Sequence, residues 1–161
     1  MLKLYYALYM TYQTLTVEPP LEVCDIDKNK LIEQLKRHEG IKPFPYVDTA
    51  GKMTIGVGRN LTDRGITIGT ISQLLAEDIN IATAELDIHY PEWCDLSENR
   101  QLVLANMVFN LGMPRYLKFV KFWAALRQEK WELASTEMLD SQWAKQVGDR
   151  AIELSELMRE G

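Results

Sequence analysis

Cysteine is scarce in this chain of 161 residues, with Cys24 and Cys94 the two present. Two cysteines are too few for the disulfide framework of a small secreted domain. Neither lies in a Cys-x-x-Cys or Cys/His spacing typical of a zinc site. We therefore expect reduced thiols, and we expect neither a metal nor a cofactor.

Long apolar runs are also missing. No stretch reaches the roughly 18 apolar residues that a membrane-spanning helix needs. Residues 1–16 are apolar only in part, and no small-residue cleavage site follows them. We expect no stable membrane span and no cleaved signal peptide.

The chain has fewer basic than acidic residues, with 18 Lys and Arg and 23 Asp and Glu, and its net charge is −5. Bulk negative charge does not attract nucleic acid, so a nucleic-acid partner is not expected. With 47% hydrophobic residues, a chain of this length can bury the core of one globular domain.

The amino-acid composition of the N-terminal residues differs from that of the rest of the chain. Residues 1–24 contain a Tyr-rich stretch and then Pro19-Pro20, which ends any regular element before it. We interpret residues 1–24 as an N-terminal appendage, either a packing element, a membrane tether or a targeting arm. Residues 25–161 form the domain proper.

Helical spacing of apolar residues dominates the domain. Asp25 or Asp27 can cap a first helix that should end near Gly40. Later helical patterns cover about 67–90, 96–112, 116–128, 130–139 and 149–160. The helix at about 67–90 would be about 30 Å long, enough to connect two lobes.

A short β element interrupts the helices. Pro43 and Pro45 exclude helix, and residues 53–58 alternate between large apolar and small or polar side chains. Residues 48–51 supply the turn of a hairpin. The prediction is a predominantly helical α+β fold, with a β-containing lobe at about 40–66, a connecting helix at about 67–90 and a helical lobe at about 96–161.

Two carboxylates can face each other in this arrangement. Glu39 ends the first helix and Asp48 lies at the hairpin turn. Glycoside hydrolysis needs one carboxyl that gives a proton and one that stays ionised. We expect Glu39, which follows an apolar helix face, to be buried and protonated, and Asp48 to be kept charged by the N–H groups of its turn.

Thr54 adds a hydroxyl to this pair. Strand alternation turns its side chain away from the apolar face, and the hairpin returns it to Asp48. A hydroxyl and a carboxylate together can hold one water. Gly56 and Gly58 leave the same face open for a bulky ligand.

Three short motifs and a longer C-terminal pattern resemble a known family, the phage-type lysozymes of glycoside hydrolase family 24, which include the endolysins of T-even bacteriophages. The motifs are His38-Glu39-Gly40, Tyr46-x-Asp48-x-x-Gly51 and Thr54-Ile55-Gly56-Val57-Gly58. The pattern consists of Asn106-Met107-Val108-Phe109, Gly112, Ser141-x-Trp143, Gln146 and Arg150. The resemblance covers about residues 27–155.

The resemblance implies a lysozyme-like fold and a catalytic trio. In this family the residue at Glu39 is the general acid. Those at Asp48 and Thr54 position a water that attacks with inversion. The bond cleaved is the β(1→4) linkage between N-acetylmuramic acid and N-acetylglucosamine in peptidoglycan. The implied partner is the glycan strand, and the implied enzyme is a monomer.

The same resemblance implies a route and an outcome. Such enzymes are made in the host cytoplasm and released by a holin to act on peptidoglycan in the periplasm. Their action is bacteriolytic and lyses the host cell.

Further site residues follow from the family. Gly58, Asn60 and Phe109 take substrate-binding positions, and Phe109 alone matches the family residue at its contact position. Asn60, Phe122 and Glu137 differ from the family residues at the others. Arg150 matches an arginine that pairs with the catalytic Glu. Arg59 and Asp78 stand where the T-even type has a His–Asp pair, which predicts an ion pair without pH sensitivity.

Two alternatives stay open. A lytic transglycosylase uses one acid and no positioned water. A wall-binding or structural module of a phage particle would use no catalytic group at all.

Overall fold

The computed structural model describes residues 26–161. The appendage predicted at residues 1–24, including Cys24, lies outside this range. The chain divides into two compact units, one ending at Gly65 and the other spanning Ile66–Gly161. Each unit is described by itself.

The first unit opens with helix α1, Lys28–Glu39. The Asp27 carboxylate accepts hydrogen bonds from the N–H groups of Asn29 and Lys30. Gly40, at φ 73°, closes the helix, and its N–H donates to the Lys36 carbonyl. A side-chain cap and a left-handed glycine are the usual ends of a helix, so both predicted boundaries are confirmed.

The apolar stripe of α1 is exposed, with Leu31, Ile32 and Leu35 between 38% and 47% accessible. Glu39 is exposed too. The expected burial of Glu39 was therefore wrong. The residue occupies the last helical position, where no following turn of helix lies beside its side chain.

The sheet of the first unit has three antiparallel strands in the order β1-β2-β3. They are β1 Lys42–Val47, β2 Met53–Gly56 and β3 Arg59–Asn60. Strand β1 contains Pro43 and Pro45, which a central strand would not tolerate. They are accommodated because β1 is an edge strand whose register shifts between Lys42 and Tyr46.

A one-turn helix, α2 Leu61–Arg64, follows β3 directly. The Asn60 side chain caps it by accepting the Asp63 N–H. The motif pattern did not predict this helix, which is too short to show a periodicity of its own.

The second unit is entirely helical. Its elements are α3 Ile68–His89, a 3₁₀ helix Pro91–Asp95, α4 Glu98–Leu111, α5 Met113–Tyr116, α6 Val120–Leu126, α7 Trp131–Leu139, α8 Gln142–Val147 and α9 Asp149–Glu160. Thr67 caps α3, so the start predicted at about residue 67 is confirmed. The helix expected at 116–128 is shorter, because residues 117–119 form a turn between α5 and α6.

Helix α4 supplies the centre of the core in this unit, with Val103, Leu104 and Met107 fully buried. The helix is not buried on every side, since Leu102 and Phe109 are 56% and 46% exposed. Among residues 26–161, no helix combines the length and hydropathy required to cross a membrane. The predicted α+β, predominantly helical class is confirmed.

Candidate active site

Asp48 and Thr54 lie side by side in the first unit. Tyr46 and Thr54 pair across β1 and β2, so the hairpin turn brings Asp48 back over Thr54. The Thr54 hydroxyl donates to Asp48 Oδ2 at 3.2 Å, and its oxygen is also 3.3 Å from the Lys52 carbonyl. Thr54 is 3% exposed. The predicted proximity of the two side chains is confirmed.

Backbone N–H groups hold the other carboxylate oxygen of Asp48. Its Oδ1 accepts from Lys52 N at 2.8 Å and from Ala50 N at 2.9 Å. The Lys52 N–H bond is the main cause that lowers the pKa of Asp48 below its usual 3.8, assisted by Ala50 and Thr54 and opposed by desolvation. Hydrogen bonds to the charged form favour that form, so Asp48 is ionised near neutral pH, as the turn sequence predicts.

Glu39 lies against the turn that links β2 and β3. A Cβ atom added at Gly58 would be 3.8 Å from Glu39 Oε2. Gly58 itself has φ 75°, a conformation that glycine adopts without penalty. The end of α1 and this turn therefore bring an exposed carboxylate beside a backbone position that carries no side chain.

Asn60 has both of its polar side-chain groups engaged within the chain. Its Oδ1 accepts from Asp63 N at 2.9 Å, and its Nδ2 donates to Asp63 Oδ2 at 2.9 Å. The side chain thus serves as a helix cap. Its predicted substrate-binding role stays a prediction.

Arg59 donates to the chain just after α2. Its Nε lies 2.7 Å from the Gly65 carbonyl, and its Nη2 lies 3.4 Å from that of Arg64. A cation at the carboxyl end of a helix is favourable. The ion pair predicted between Arg59 and Asp78 would join the two units, and it stays a prediction.

In the second unit, Phe109 and Arg150 line one groove of about 320 Å³ together with Asn106. Arg150 donates to Asn106 Oδ1 through Nε at 3.1 Å and through Nη2 at 2.6 Å. Asn106 thereby fixes the guanidinium at the edge of the groove. The predicted pairing of Arg150 with Glu39 is not tested by these contacts.

Phe122 and Glu137, at two further contact positions of the family, line another pocket of the second unit, beside Trp143. Within residues 26–161, no three His, Cys, Asp or Glu side chains cluster so that they could hold a metal ion.

Comparison with known proteins gives the family. The family model described as phage lysozyme matches residues 36–159, which include every residue of the proposed catalytic trio. The chain belongs to the phage lysozyme family. Lysozymes are glycoside hydrolases, and the family places the chain in that class of enzyme.

Individual relatives are distant. The pre-baseplate central spike protein Gp5 of Enterobacteria phage T4 is 27% identical over 88% of this chain, which spans 30% of that protein. Probable T4-type lysozymes 2 and 1 of Dictyostelium discoideum are 26% and 25% identical over 76% and 80% of the chain. Here the matches span 89% and 93% of the relatives.

The phage lysozyme motifs did not indicate the residues that surround Asp48 and Thr54. Lys52 lies in the hairpin itself, and Thr62 and Asp63 of α2 contact it, since the Met53 N–H donates to Thr62 Oγ1 at 3.0 Å and Lys52 Nζ lies 3.0 Å from Asp63 Oδ1. A signal was present in Asn60-x-x-Asp63, a spacing that resembles a helix cap with its reciprocal partner.

Proposed function

We propose that this phage-type lysozyme hydrolyses the β(1→4) bond between N-acetylmuramic acid and N-acetylglucosamine in peptidoglycan. The observation that carries the proposal is the hydrogen bond between the Thr54 hydroxyl and the ionised Asp48. Family membership supports peptidoglycan as the substrate class.

The pair is suited to orient a water. While the Thr54 hydroxyl donates to Asp48, its oxygen keeps free lone pairs, and so does Asp48 Oδ2. A water that donates one proton to each oxygen presents its own lone pair outward to the sugar. Asp48 takes up the proton of this water as the new C–O bond forms.

Glu39 is the proposed general acid. Its proton passes to the glycosidic oxygen as the C–O bond to the leaving sugar breaks, so the leaving group departs as an alcohol. Attack by water from the opposite face inverts the anomeric centre. Gly58, beside Glu39 Oε2, leaves space for the sugar at this point.

Second-unit residues complete the proposed site. Arg150, held by Asn106, would pair with the Glu39 carboxylate and bind its ionised form after proton transfer. Phe109 in the second unit and Asn60 in the first take the glycan-contact positions that the family implies, and an Arg59–Asp78 ion pair would support them. As an endolysin, the monomeric protein would be made in the host cytoplasm, released by a holin and act in the periplasm.

A turbidity assay on permeabilised Gram-negative cells tests the proposal. Wild type should clear the suspension, whereas Glu39→Gln, which has no proton to give, should lose clearing by on the order of 10²-fold or more. Glu33→Gln is the matched control, because Glu33 is an exposed residue of the same helix paired with Lys36. Equal clearing by wild type and Glu39→Gln would refute the proposal.

One relative favours a second candidate function. The spike protein of phage T4 matches 88% of this chain within a much longer protein, which favours a lysozyme module of a phage particle as the second candidate. The module and the free endolysin differ in partner, and copurification with assembled particles would identify the module.

A lytic transglycosylase would instead leave anhydro-muramyl ends, which mass spectrometry of the products distinguishes from reducing ends.

A further inference from the structure

A closed set of contacts joins Asp48 and Thr54 through three residues outside the proposed catalytic trio. We propose that Lys52, Asn60 and Asp63 are positioning residues, which hold the Asp48 carboxylate and the Thr54 hydroxyl in the geometry that orients the water. The inference rests on the proposed function. It also gives Asn60 a different role from the glycan contact that its position in the family implies.

Both backbone polar groups of Lys52 are hydrogen-bonded to Asp48. Its N–H donates to Asp48 Oδ1 at 2.8 Å, and its carbonyl accepts the Asp48 N–H at 2.9 Å. Any displacement of Lys52 therefore moves the Asp48 carboxylate. The Lys52 side chain is in turn anchored, because Nζ lies 3.0 Å from Asp63 Oδ1.

Asp63 bridges two partners with its two carboxylate oxygens. Oδ1 binds Lys52 Nζ, and Oδ2 accepts from Asn60 Nδ2 at 2.9 Å. Its backbone N–H donates to Asn60 Oδ1 at 2.9 Å. The two bonds to Asn60 fix the start of α2, and the bond to Lys52 ties this helix to the hairpin.

Asn60 completes this set of contacts, because it pairs with Thr54 between β3 and β2. Thr54 then binds Asp48 through its hydroxyl. A parallel bond from Met53 N to Thr62 Oγ1 at 3.0 Å ties the same two segments. Each member of the proposed water-holding pair is thus connected to the same short helix.

Loss of these contacts should affect the geometry of Asp48 and Thr54 more than the stability of the fold. The Lys52–Asp63 pair is 41% and 52% exposed at its two side chains, and exposed ion pairs contribute little to stability. Misplacement of a reacting group by about 1 Å can cost about 10²-fold in rate. Loss of a positioning residue should therefore lower kcat, whereas loss of a glycan contact should raise KM.

The experiment measures kcat and KM on soluble, uncrosslinked glycan strands for wild type, Asn60→Ser, Asp63→Ala, Lys52→Met and Lys52→Arg. Asn60→Ser keeps a capping oxygen but removes the amide donor, so α2 retains its cap. Lys30→Met is the control for loss of charge, because Lys30 pairs with Asp27 on the exposed start of α1. Circular dichroism establishes that each variant is folded.

We expect Asn60→Ser, Asp63→Ala and Lys52→Met to lower kcat by about tenfold, with KM changed by less than about twofold. Lys52→Arg should retain most of the activity, and Lys52→Met should also move the acid limb of the kcat/KM profile to higher pH, because a cation near Asp48 is lost. A rise in KM at constant kcat for Asn60→Ser, or full activity of all three variants, would overturn the inference. An inactive wild type would overturn the proposed function as well.

Discussion

The Thr54 hydroxyl lies 3.2 Å from Asp48 Oδ2, while the two backbone bonds to the carboxylate go to the other oxygen, Oδ1. The two oxygens thus have different tasks. Oδ1 fixes the orientation of the carboxylate and keeps it ionised. Oδ2 accepts a hydrogen bond from the Thr54 hydroxyl and keeps a lone pair available for a water.

Removal of the Thr54 hydroxyl should change the surroundings of Asp48 Oδ2 and leave those of Oδ1 unchanged. Thr54→Val preserves the shape of a side chain that is 3% exposed and leaves both bonds to Oδ1. We expect clearing of cells to fall on the order of 10²-fold, since the water loses one of its two acceptors. Thr54→Ser, which keeps the hydroxyl, should retain most of the activity, and equal losses in both variants would exclude a role for the hydroxyl.

The pH dependence of stability should reveal the bonds to Asp48. Its folded-state pKa is below the ordinary value of 3.8, so the ionised side chain stabilises the folded protein. This contribution is fully present above about pH 4 and is lost as the pH falls through the folded-state pKa. Thermal melts of wild type and Asp48→Asn from about pH 7 to about pH 2 should show a wild-type advantage that shrinks only below about pH 4. A difference in Tm that is constant over this range would contradict the assignment.

Gly58 should be required for more than its backbone conformation. Gly58 and Gly56 have φ 75° and 68°, so alanine at either position should cost about 1–2 kcal/mol of folding free energy. Only at Gly58 does the added methyl approach Glu39, at 3.8 Å, whereas the Cβ at Gly56 meets nothing within 4 Å. Gly58→Ala should therefore lose activity beyond its loss of stability, and Gly56→Ala is the control. Equal specific activity of the two folded variants would argue against a substrate surface at Gly58.

Much of the fold could be predicted because its long elements carry local signals. Asp27 and Gly40 mark the two ends of α1, and Thr67 marks the start of α3. The sequence did not indicate α2 or α8, since four to six residues are too few to show a helical period. Pro43 and Pro45 excluded helix but did not predict β1, because proline is tolerated in a strand only where the strand lies at an edge of the sheet.

The part of the site that lies within one hairpin could be predicted from the sequence. Strand alternation and the hairpin turn are sufficient to bring Thr54 to Asp48. The exposure of Glu39 was not predictable, since it depends on what packs around the end of α1. The engagement of Asn60 by Asp63 was likewise hidden, because a cap and a glycan contact use the same polar groups.

Glu129 offers a test of backbone strain in the second unit. It has φ 55°, the one positive value among the non-glycine residues in the part of the chain that the structure describes. It follows α6, with Glu129 N bonded to the Leu126 carbonyl and Lys130 N to that of Ala125, the pattern of a helix end that favours glycine. Glu129→Gly should raise stability by about 0.5–1 kcal/mol. A lower Tm for Glu129→Gly than for wild type would contradict the strain.

Hydrolysis in water enriched in heavy oxygen tests the central claim most directly. Purified glycan strands are digested, the products are reduced at once with borohydride to prevent exchange of the new hemiacetal oxygen, and mass spectrometry locates the label. If Asp48 and Thr54 deliver a water to the sugar, each cleaved bond should give one labelled reduced muramic acid end, and Glu39→Gln should give none. Unlabelled anhydro-muramyl ends from the wild type would contradict the account.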